Sequence, residues 1–554
     1  MYVIALDLGT SGFRSQLIEL ETQETIKTVV TMGHPLPGGN VMDHLDFAIN
    51  TGRDVAHGLI IETVKKILEE FDVEPEKIKR IAVCGNPIQL SLFQNIEIRD
   101  LAYAGENKKK TLGVHDVERN SRILPANELF KGIYDMDNCE IIIPPAIKHE
   151  IGADALAMML ETDFIHQTEP CLVTDYGTNA EMALKIGEKI ITASAAAGPA
   201  IEGQGVNCGM LAGPGAISDI SSERDYWRLT VLDENMNSVK GPLVEPLTGE
   251  IIEDSEVKPK GITGTGVIST VAMALKCGIM EKLPELPNGK INLGYDIVVV
   301  DNDIKEVGKA IGAIKAAHIA LMVEAGLKYE DLRYSYMSGA SGTYVNANKA
   351  RHLGSVPAFC KGIIQFGNTS IGLARKLAID SSLLEEVNEV AKKIKADHLM
   401  MATSETFKKI YVCELATWLE GMPHEDYNEV FMAEEIPVLP EDLPNSEVTI
   451  EKRVQKDIDD VGRLGLDIVD NIGIILEAPV EKCILCHKCE KECPEDAISI
   501  VEKDGERFAN INSQACLGAA CKRCVYICPV KTIDHRLLEI QCTEEVTICN
   551  GNDT

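Results

Sequence analysis

The sequence predicts an α/β protein with a large core of two homologous halves, followed by a small cysteine-rich α+β domain. Three observations carry this. Asp7-Leu8-Gly9-Thr10-Ser11 returns as Asp175-Tyr176-Gly177-Thr178-Asn179, each copy entered by an apolar strand and followed by another. Eight of the 17 cysteines crowd into Cys483–Cys528, in two runs that each end Cys-Pro. The chain has 554 residues, 45% of them hydrophobic and 25% charged, enough apolar material for more than one core.

The net charge of −32 repels phosphate backbones and disfavours nucleic-acid binding; it suits a basic or neutral protein partner, or simply solubility. Met1–Asp7 reads as a core strand rather than a signal peptide. No uncharged run reaches the roughly 18–20 apolar residues of a membrane helix, so no membrane association is expected. Many cysteines without an export signal suggest a reducing cytoplasm, where cysteines act as ligands or as buried apolar groups. Cys542 and Cys549 lack ligand spacing.

Val3–Gly12 is a strand running into a Gly/Thr/Ser turn, and Phe13–Leu20 alternates as its hairpin partner. Such a turn offers N–H groups and hydroxyls to a phosphate, and the aspartate offers a carboxylate to the accompanying metal. It is neither a Walker loop nor a Rossmann fingerprint, both of which lead into helices. Asp54–Phe71 has a helical rhythm, and Ile81–Pro87 a buried strand with Lys77–Arg80 as a solvated basic edge. Ile141–Ile143 resembles a strand stopped by Pro144 and Pro145, and Asp154–Leu160 opens a helix. After the repeated hairpin come three small-residue segments, Ala193–Pro199, Gly261–Gly266 and Ser338–Gly342, where backbone can approach a nucleotide closely. A single Gly-rich turn is more often only a turn; the duplicated hairpin reverses that weighting. Asp303–Leu327 is a long alanine-bearing helix, and the polar, acidic Tyr226–Pro259 reads as a surface insertion. The expected domains are 1–166 and 167–432 for the two halves, facing a shared cleft, 433–477 as an acidic proline-bearing linker, 478–540 for the cysteine-rich domain and 541–554 as a tail.

The cysteine runs are Cys483-x2-Cys486-x2-Cys489-x3-Cys493-Pro494 and Cys516-x4-Cys521-x2-Cys524-x3-Cys528-Pro529. This is the spacing of a bacterial two-cluster ferredoxin, in which each run's last cysteine serves the other run's cluster. The ligand sets are then Cys483, Cys486, Cys489 and Cys528 for one [4Fe–4S] cluster, and Cys516, Cys521, Cys524 and Cys493 for the other. Zinc also takes Cys-x2-Cys pairs, but it closes with four ligands and has no use for a third cysteine plus a remote Cys-Pro. The extra residues after Cys516 depart from the usual spacing.

With both features located, the chain resembles the reductive activators of corrinoid enzymes, within them the branch acting on methylamine-specific corrinoid methyltransferase proteins in methanogenesis. The resemblance rests on Asp7–Ser11, Asp175–Glu181, Ala193–Pro199, Gly261–Ser269 and Ser338–Gly342, and it covers nearly the whole chain. It implies an ATPase core of duplicated RNase H-like (actin/sugar kinase/Hsp70) type joined to an iron–sulfur electron carrier. Many relatives carry a single [2Fe–2S] domain at the N-terminus, whereas this chain begins with the ATPase hairpin and carries its cysteine runs at the C-terminal end. The implied activity is ATP-dependent one-electron reduction of Co(II) corrinoid to Co(I). Its partners would be methylamine-specific corrinoid proteins and a low-potential electron donor.

On that resemblance Asp7 and Asp175 serve Mg²⁺ through water. Gly9, Thr10, Ser11, Gly177, Thr178 and Asn179 cradle phosphates, while Gly264, Gly266, Gly339, Ser341 and Gly342 approach the nucleotide through backbone. Glu181 or Asn86 could place the attacking water, each also readable as a structural hydrogen-bonding residue. The resemblance implies that nucleotide closes the two halves, and that the cluster domain swings toward its partner on the acidic linker. Two other readings stay open: an activator of a radical dehydratase or ring reductase, and a small-molecule kinase with a ferredoxin as sensor. Eight cluster cysteines on one chain count against the former, and no recognisable sugar-binding constellation supports the latter.

Overall fold

Tyr2–Leu8 forms the middle of a seven-stranded sheet because Val3–Leu6 are buried in succession, as a strand covered on both faces demands. The spatial order is Leu466–Val469, Thr25–Thr31, Phe13–Glu19, Tyr2–Leu8, Ile78–Gly85, Glu140–Ile143 and Arg122–Pro125. Tyr2–Leu8 pairs antiparallel with Phe13–Glu19 and parallel with Ile78–Gly85. The computed structural model describes residues 1–103, 106–147, 151–394, 397–439, 447–470, 472–518 and 521–541; Cys542 and Cys549 lie outside them. The chain divides into two units, Met1–His149 with Ala374–Asn388 and Gly462–Thr554, and Glu150–Leu373 with Glu389–Val461.

The second unit repeats the five central strands of the first; the outer strand beyond them is antiparallel in the first unit (Arg122–Pro125) and parallel in the second (Thr449–Lys452). Its seven strands run Asp397–Leu399, Lys189–Ala196, Asn179–Ile186, Cys171–Tyr176, Tyr334–Ser338, Gly362–Gln365 and Thr449–Lys452. Cys171–Tyr176 is antiparallel to Asn179–Ile186 and parallel to Tyr334–Ser338, the relations its counterpart makes in the first unit. The short sequence repeat therefore marks a repeat of sheet order. The helix Asp301–Glu324 buries Ile304, Val307, Ile311, Ile314 and Leu321 in this unit's core.

Three expectations are corrected. Tyr226–Pro259 is not a surface insertion: Tyr226–Leu232, Ser238–Val244 and Ile251–Glu253 join Ala216–Glu223 and Gly261–Ile262 in a five-stranded sheet. Trp227, Leu229 and Val231 alternate into the core, while Glu223 and Glu253 hold Arg228 from outside. Composition averaged the two faces and hid the period-2 pattern. The segment 433–477 also departs from a plain linker. Thr449–Lys452 adds an edge strand to Gly362–Gln365 in one unit, and Leu466–Val469 adds one to Thr25–Thr31 in the other. An edge strand is paired on one side only, so polar residues are tolerated there and the apolar signal is weak. Lys77–Arg80, read as a solvated edge, begins the strand: Ile78 is buried and Arg80 donates to the Ile379 carbonyl at 3.0 Å.

The cysteine-rich part starts with the strand Ile475–Pro479, in a sheet ordered Ile498–Lys503, Glu506–Asn512, Ile475–Pro479 and Glu539–Ile540. The hairpin turns at Asp504-Gly505, both with positive φ (52° and 84°), the conformation that two-residue hairpin loops favour. This domain does not hang free. The Gly38 N–H donates to the Cys516 carbonyl at 3.0 Å, and Gln514 Nε2 donates to the carbonyls of Met32 and Asp470. Among the described residues no helix is long and apolar enough to cross a membrane.

Candidate functional site

The two cysteine runs fold alike. The middle of each Cys-x-x-Cys turn is left-handed, at His487 (φ 52°) and Lys522 (φ 47°), and leads into the short helices Lys488–Glu492 and Arg523–Ile527. Each Cys-Pro is followed by another left-handed residue, Asp496 (φ 48°) and Lys531 (φ 47°). These turns aim the thiols into two cavities. One holds about 320 Å³ of atom-free space, partly open to solvent, and is lined by Cys483, Cys486, Cys489 and Cys528 with Ile484, Ile500, Val530 and Ile533. The other holds about 370 Å³ and is lined by Cys493, Cys516, Cys521 and Cys524 with Ile498, Ile511, Leu517 and His535.

The donor sets fit a cluster rather than a lone ion. Among the described residues no three His, Cys, Asp or Glu side chains converge closely enough to hold a single metal ion. A cubane interposes its own iron and sulfide, so its thiolates stay apart around an apolar cage, as in both cavities. Burial pushes the Cys516 thiol up to about 11 and Cys524 to about 12, so bound iron must carry the positive charge that makes them thiolates. Among the described residues the second cavity has more donors aimed at sulfur. Cys493 Sγ accepts from the Ala497 N–H at 3.2 Å and Cys516 Sγ from the Gly518 N–H at 3.4 Å, while His535 Nε2 lies 3.7 Å from Cys524 Sγ. In the first, the Leu485 N–H reaches Cys483 Sγ at 3.5 Å. His535 was not singled out in the sequence, for it lies beyond both runs and only folding returns it to Cys524.

In the first unit the turn after Asp7 stands where two parallel strands end, with Asp7 level with Cys84 and Leu8 with Gly85. Asp7 and Ser11 are buried, and Thr10 Oγ1 accepts from Asn86 Nδ2 at 3.1 Å. Asn86 Oδ1 meanwhile accepts from the N–H groups of Ile88 and Gln89, capping the helix Pro87–Phe93. Both ends of that amide are engaged, which favours the structural reading of Asn86. Gly9 is required because a Cβ there would stand 2.7 Å from the Gly12 carbonyl oxygen.

In the second unit the candidates gather around Pro199–Glu202. Thr178 donates both its N–H (2.9 Å) and its hydroxyl (2.5 Å) to the Glu202 carboxylate. Ser341 Oγ donates to the Ile201 carbonyl at 3.0 Å. A Cβ on Gly264 would meet the Ile201 carbonyl oxygen at 2.2 Å, and one on Gly266 the Ile217 carbonyl oxygen at 2.4 Å. Glycine at 264 and 266 is thus demanded by protein backbone. Gly339, at φ 81°, presses against Asp175: a Cβ would lie 2.3 Å from Asp175 Oδ1. Gly342 lies beside the Tyr176 ring, and Asn179 begins the return strand, on which buried Glu181 stands opposite Asp175. Glu202 was missed in the sequence. It is the first acid beyond the small-residue stretch that ends at Pro199, set between Gly198 (φ 98°) and Gly203 (φ 91°).

Comparison with known proteins agrees with this arrangement. The family model described as "RACo middle region" matches residues 2–167, "C-terminal domain of RACo the ASKHA domain" matches 169–428, and "4Fe-4S dicluster domain" matches 482–532. The "[Co(II) methylated amine-specific corrinoid protein] reductase" of Methanosarcina barkeri is 64% identical over 94% of this chain and 96% of its own length. The "Corrinoid activation enzyme RamQ" of Eubacterium limosum is 23% identical, covering 74% of this chain and 70% of its own. A solved "Reductive activator for corrinoid,iron-sulfur protein" superposes with a TM-score of 0.61 at 22% identity, over 75% of this chain and 66% of that one. The fold is the duplicated core of actin and sugar-kinase type with a C-terminal iron–sulfur domain.

Proposed function

The chain belongs to the reductive activators of corrinoid proteins, and from that premise we propose that it uses ATP to reduce Co(II) to Co(I) on methylamine-specific corrinoid proteins. The observation that carries this reading is the presence in one unit of a phosphate-type turn at Asp7 and two four-thiol cavities. A relative of 64% identity that carries the name of such a reductase supports the choice of substrate over the dehydratase-activator and kinase readings. Two [4Fe–4S] clusters, held by Cys483, Cys486, Cys489 and Cys528 and by Cys493, Cys516, Cys521 and Cys524, would supply one electron at the low potential that Co(II) requires.

The chain's own residues divide the remaining work. The turns Gly9–Ser11 and Gly177–Asn179 would bind the phosphates, and Asp7 and Asp175 would hold Mg²⁺, which would offset phosphate charge. Gly339 keeps the backbone against Asp175 and so fixes that carboxylate. Because the tight sides of Gly264 and Gly266 are filled by protein, they serve the nucleotide by packing, Gly264 against Ala200 and Ile201 and Gly266 against Ile217 and Ile262, rather than by opening a face to it. Nucleotide and corrinoid partner must each favour the same conformation for ATP to act on electron transfer.

The test mixes reduced protein, ATP and a Co(II) methylamine corrinoid protein without oxygen and follows the corrinoid spectrum. Co(I) should appear only with ATP; equal formation without it defeats the reading.

Glu202 adds a second expectation. Its carboxylate occupies the Thr178 N–H and hydroxyl, so a phosphate must displace it from donors whose bonds to a charged group are worth about 1.5–3 kcal/mol. Glu202→Gln should therefore tighten nucleotide binding by about tenfold. Calorimetric titration of the variant checks this, and unchanged or weaker binding would remove Glu202 from the phosphate site.

A further inference from the structure

In the first unit a single piece of chain, Thr31–Gly38, touches the Gly9–Gly12 turn on one side and the Cys516–Cys521 loop on the other. A Cβ on Gly12 would stand 2.8 Å from the Thr31 carbonyl oxygen and 3.1 Å from that of Gly33. The Phe13 N–H donates to Thr31 Oγ1 at 2.8 Å, and that hydroxyl donates to the Gly33 carbonyl at 2.8 Å. The turn thus rests backbone on backbone. Across the segment, Gly33 (φ 149°) faces Gln514, whose Nε2 would be 2.9 Å from a Cβ there. The Gly38 N–H donates to the Cys516 carbonyl, and Gly518 (φ 67°) abuts Pro37. Gln514, Cys516 and Gly518 are thus the residues that reach this segment.

His34 sits in the middle of Thr31–Gly38. Its ring meets Phe13 edge-on at 5.1 Å and stacks on His44 at 4.0 Å. His34 Nε2 bonds Gln89 Oε1 at 3.1 Å, Gln89 Nε2 bonds His44 Nδ1 at 2.8 Å, and the Leu36 N–H donates to His34 Nδ1. Burial keeps both rings neutral, so His34 donates to Gln89 and Gln89 donates to His44. Gln89 in turn follows Asn86, whose side chain holds Thr10 of the turn. Two routes therefore join the turn to Thr31–Gly38, one through backbone and one through Gln89. Close-packed contacts have no slack to absorb a displacement.

We propose that Thr31–Gly38, through the His34–Gln89 and Gly33–Gln514 contacts, couples nucleotide at the Gly9–Gly12 turn to the cluster site of Cys493, Cys516, Cys521 and Cys524, and not to the other. This rests on the nucleotide and cluster assignments above and specifies which cluster responds. The physical lever is the Gly518 N–H, 3.4 Å from Cys516 Sγ: a shift of this loop alters a hydrogen bond to a ligand sulfur, and such bonds set cluster potential. Coupling of this kind is reciprocal, so reduction of that cluster must change nucleotide affinity by the same factor.

The experiment is an EPR-monitored redox titration of the full-length protein with and without a non-hydrolysable ATP analogue, paired with analogue affinities for oxidised and reduced protein. Wild type should show one of two cluster signals shifted and the other unmoved. The two affinities should differ at least about fivefold, a tenfold difference matching about 59 mV for a one-electron couple. The shift should persist in Cys489→Ala, which retains only the coupled cluster. It should shrink in Gln89→Leu, which leaves the backbone route, and in Gln514→Ala, which leaves the Gly38–Cys516 hydrogen bond, and shrink further in the double variant, with analogue affinity of the oxidised protein within about twofold of wild type and iron content unchanged. A shift carried by the other cluster, no shift with nucleotide bound and both clusters present, or a shift of wild-type size in the double variant overturns the coupling. Failure of the analogue to bind, or of the protein to hold iron, overturns instead the assignments on which it rests.

Discussion

Cys489→Ala should hold about half the wild-type iron, lose one cluster signal by EPR, and form Co(I) at less than about 1% of the wild-type rate while binding ATP normally. Cys489 is the buried member of the cavity shared with Cys483, Cys486 and Cys528. Its replacement leaves three thiols around a space that a cubane fills with four. The helix Lys488–Glu492 that carries it packs on the cluster-domain sheet, so the damage stays near one cavity and the Asp7 turn keeps its geometry. Iron analysis and nucleotide titration on one preparation decide the matter. Full Co(I) formation without that cluster would show that electrons reach the corrinoid by the other cluster alone.

Asp7→Ala should give the opposite pattern, with both clusters retained and ATP-driven Co(I) formation lowered at least about a hundredfold, since a metal-bound carboxylate site contributes several kcal/mol of charge stabilisation. Asp7 is 5% exposed at the end of the central strand, beside a turn closed by Gly9 and Gly12. Its loss removes negative charge where strand register brings a carboxylate to the turn. Asp175→Ala should behave alike, since Asp175 ends the equivalent strand in the second unit. Iron content and EPR report intact clusters, and the corrinoid spectrum reports the rate. Full ATP-driven reduction by Asp7→Ala would place the phosphates elsewhere.

The parts legible from sequence were those whose cause is local. Residues within one tight turn determine where three thiols can point, so Cys483–Cys489 spoke for a cluster by spacing. A strand ending in Asp-x-Gly-Thr needs only neighbours in sequence, so its second copy at Asp175 announced a duplicated sheet, and the five central strands have the same order in both units. The alternation Trp227, Leu229, Val231 was equally local, but it was masked by acids such as Glu223 and Glu253 on neighbouring strands.

What tertiary structure alone decided concerns residues far apart in the chain whose meeting no spacing encodes. Glu202 reaches the Thr178 turn, His535 returns to Cys524, and Leu466–Val469 adds to a sheet whose other strands begin at Tyr2. Cys516 and Gly518 meet Pro37–Gly38, which stand almost the full chain length away, so their spacing alone did not disclose that contact. Sequence settled which chemical groups are present and how each turn presents them. Only the fold, by packing Gln514 against Gly33, decided that a cluster loop and a phosphate turn share a strip of backbone.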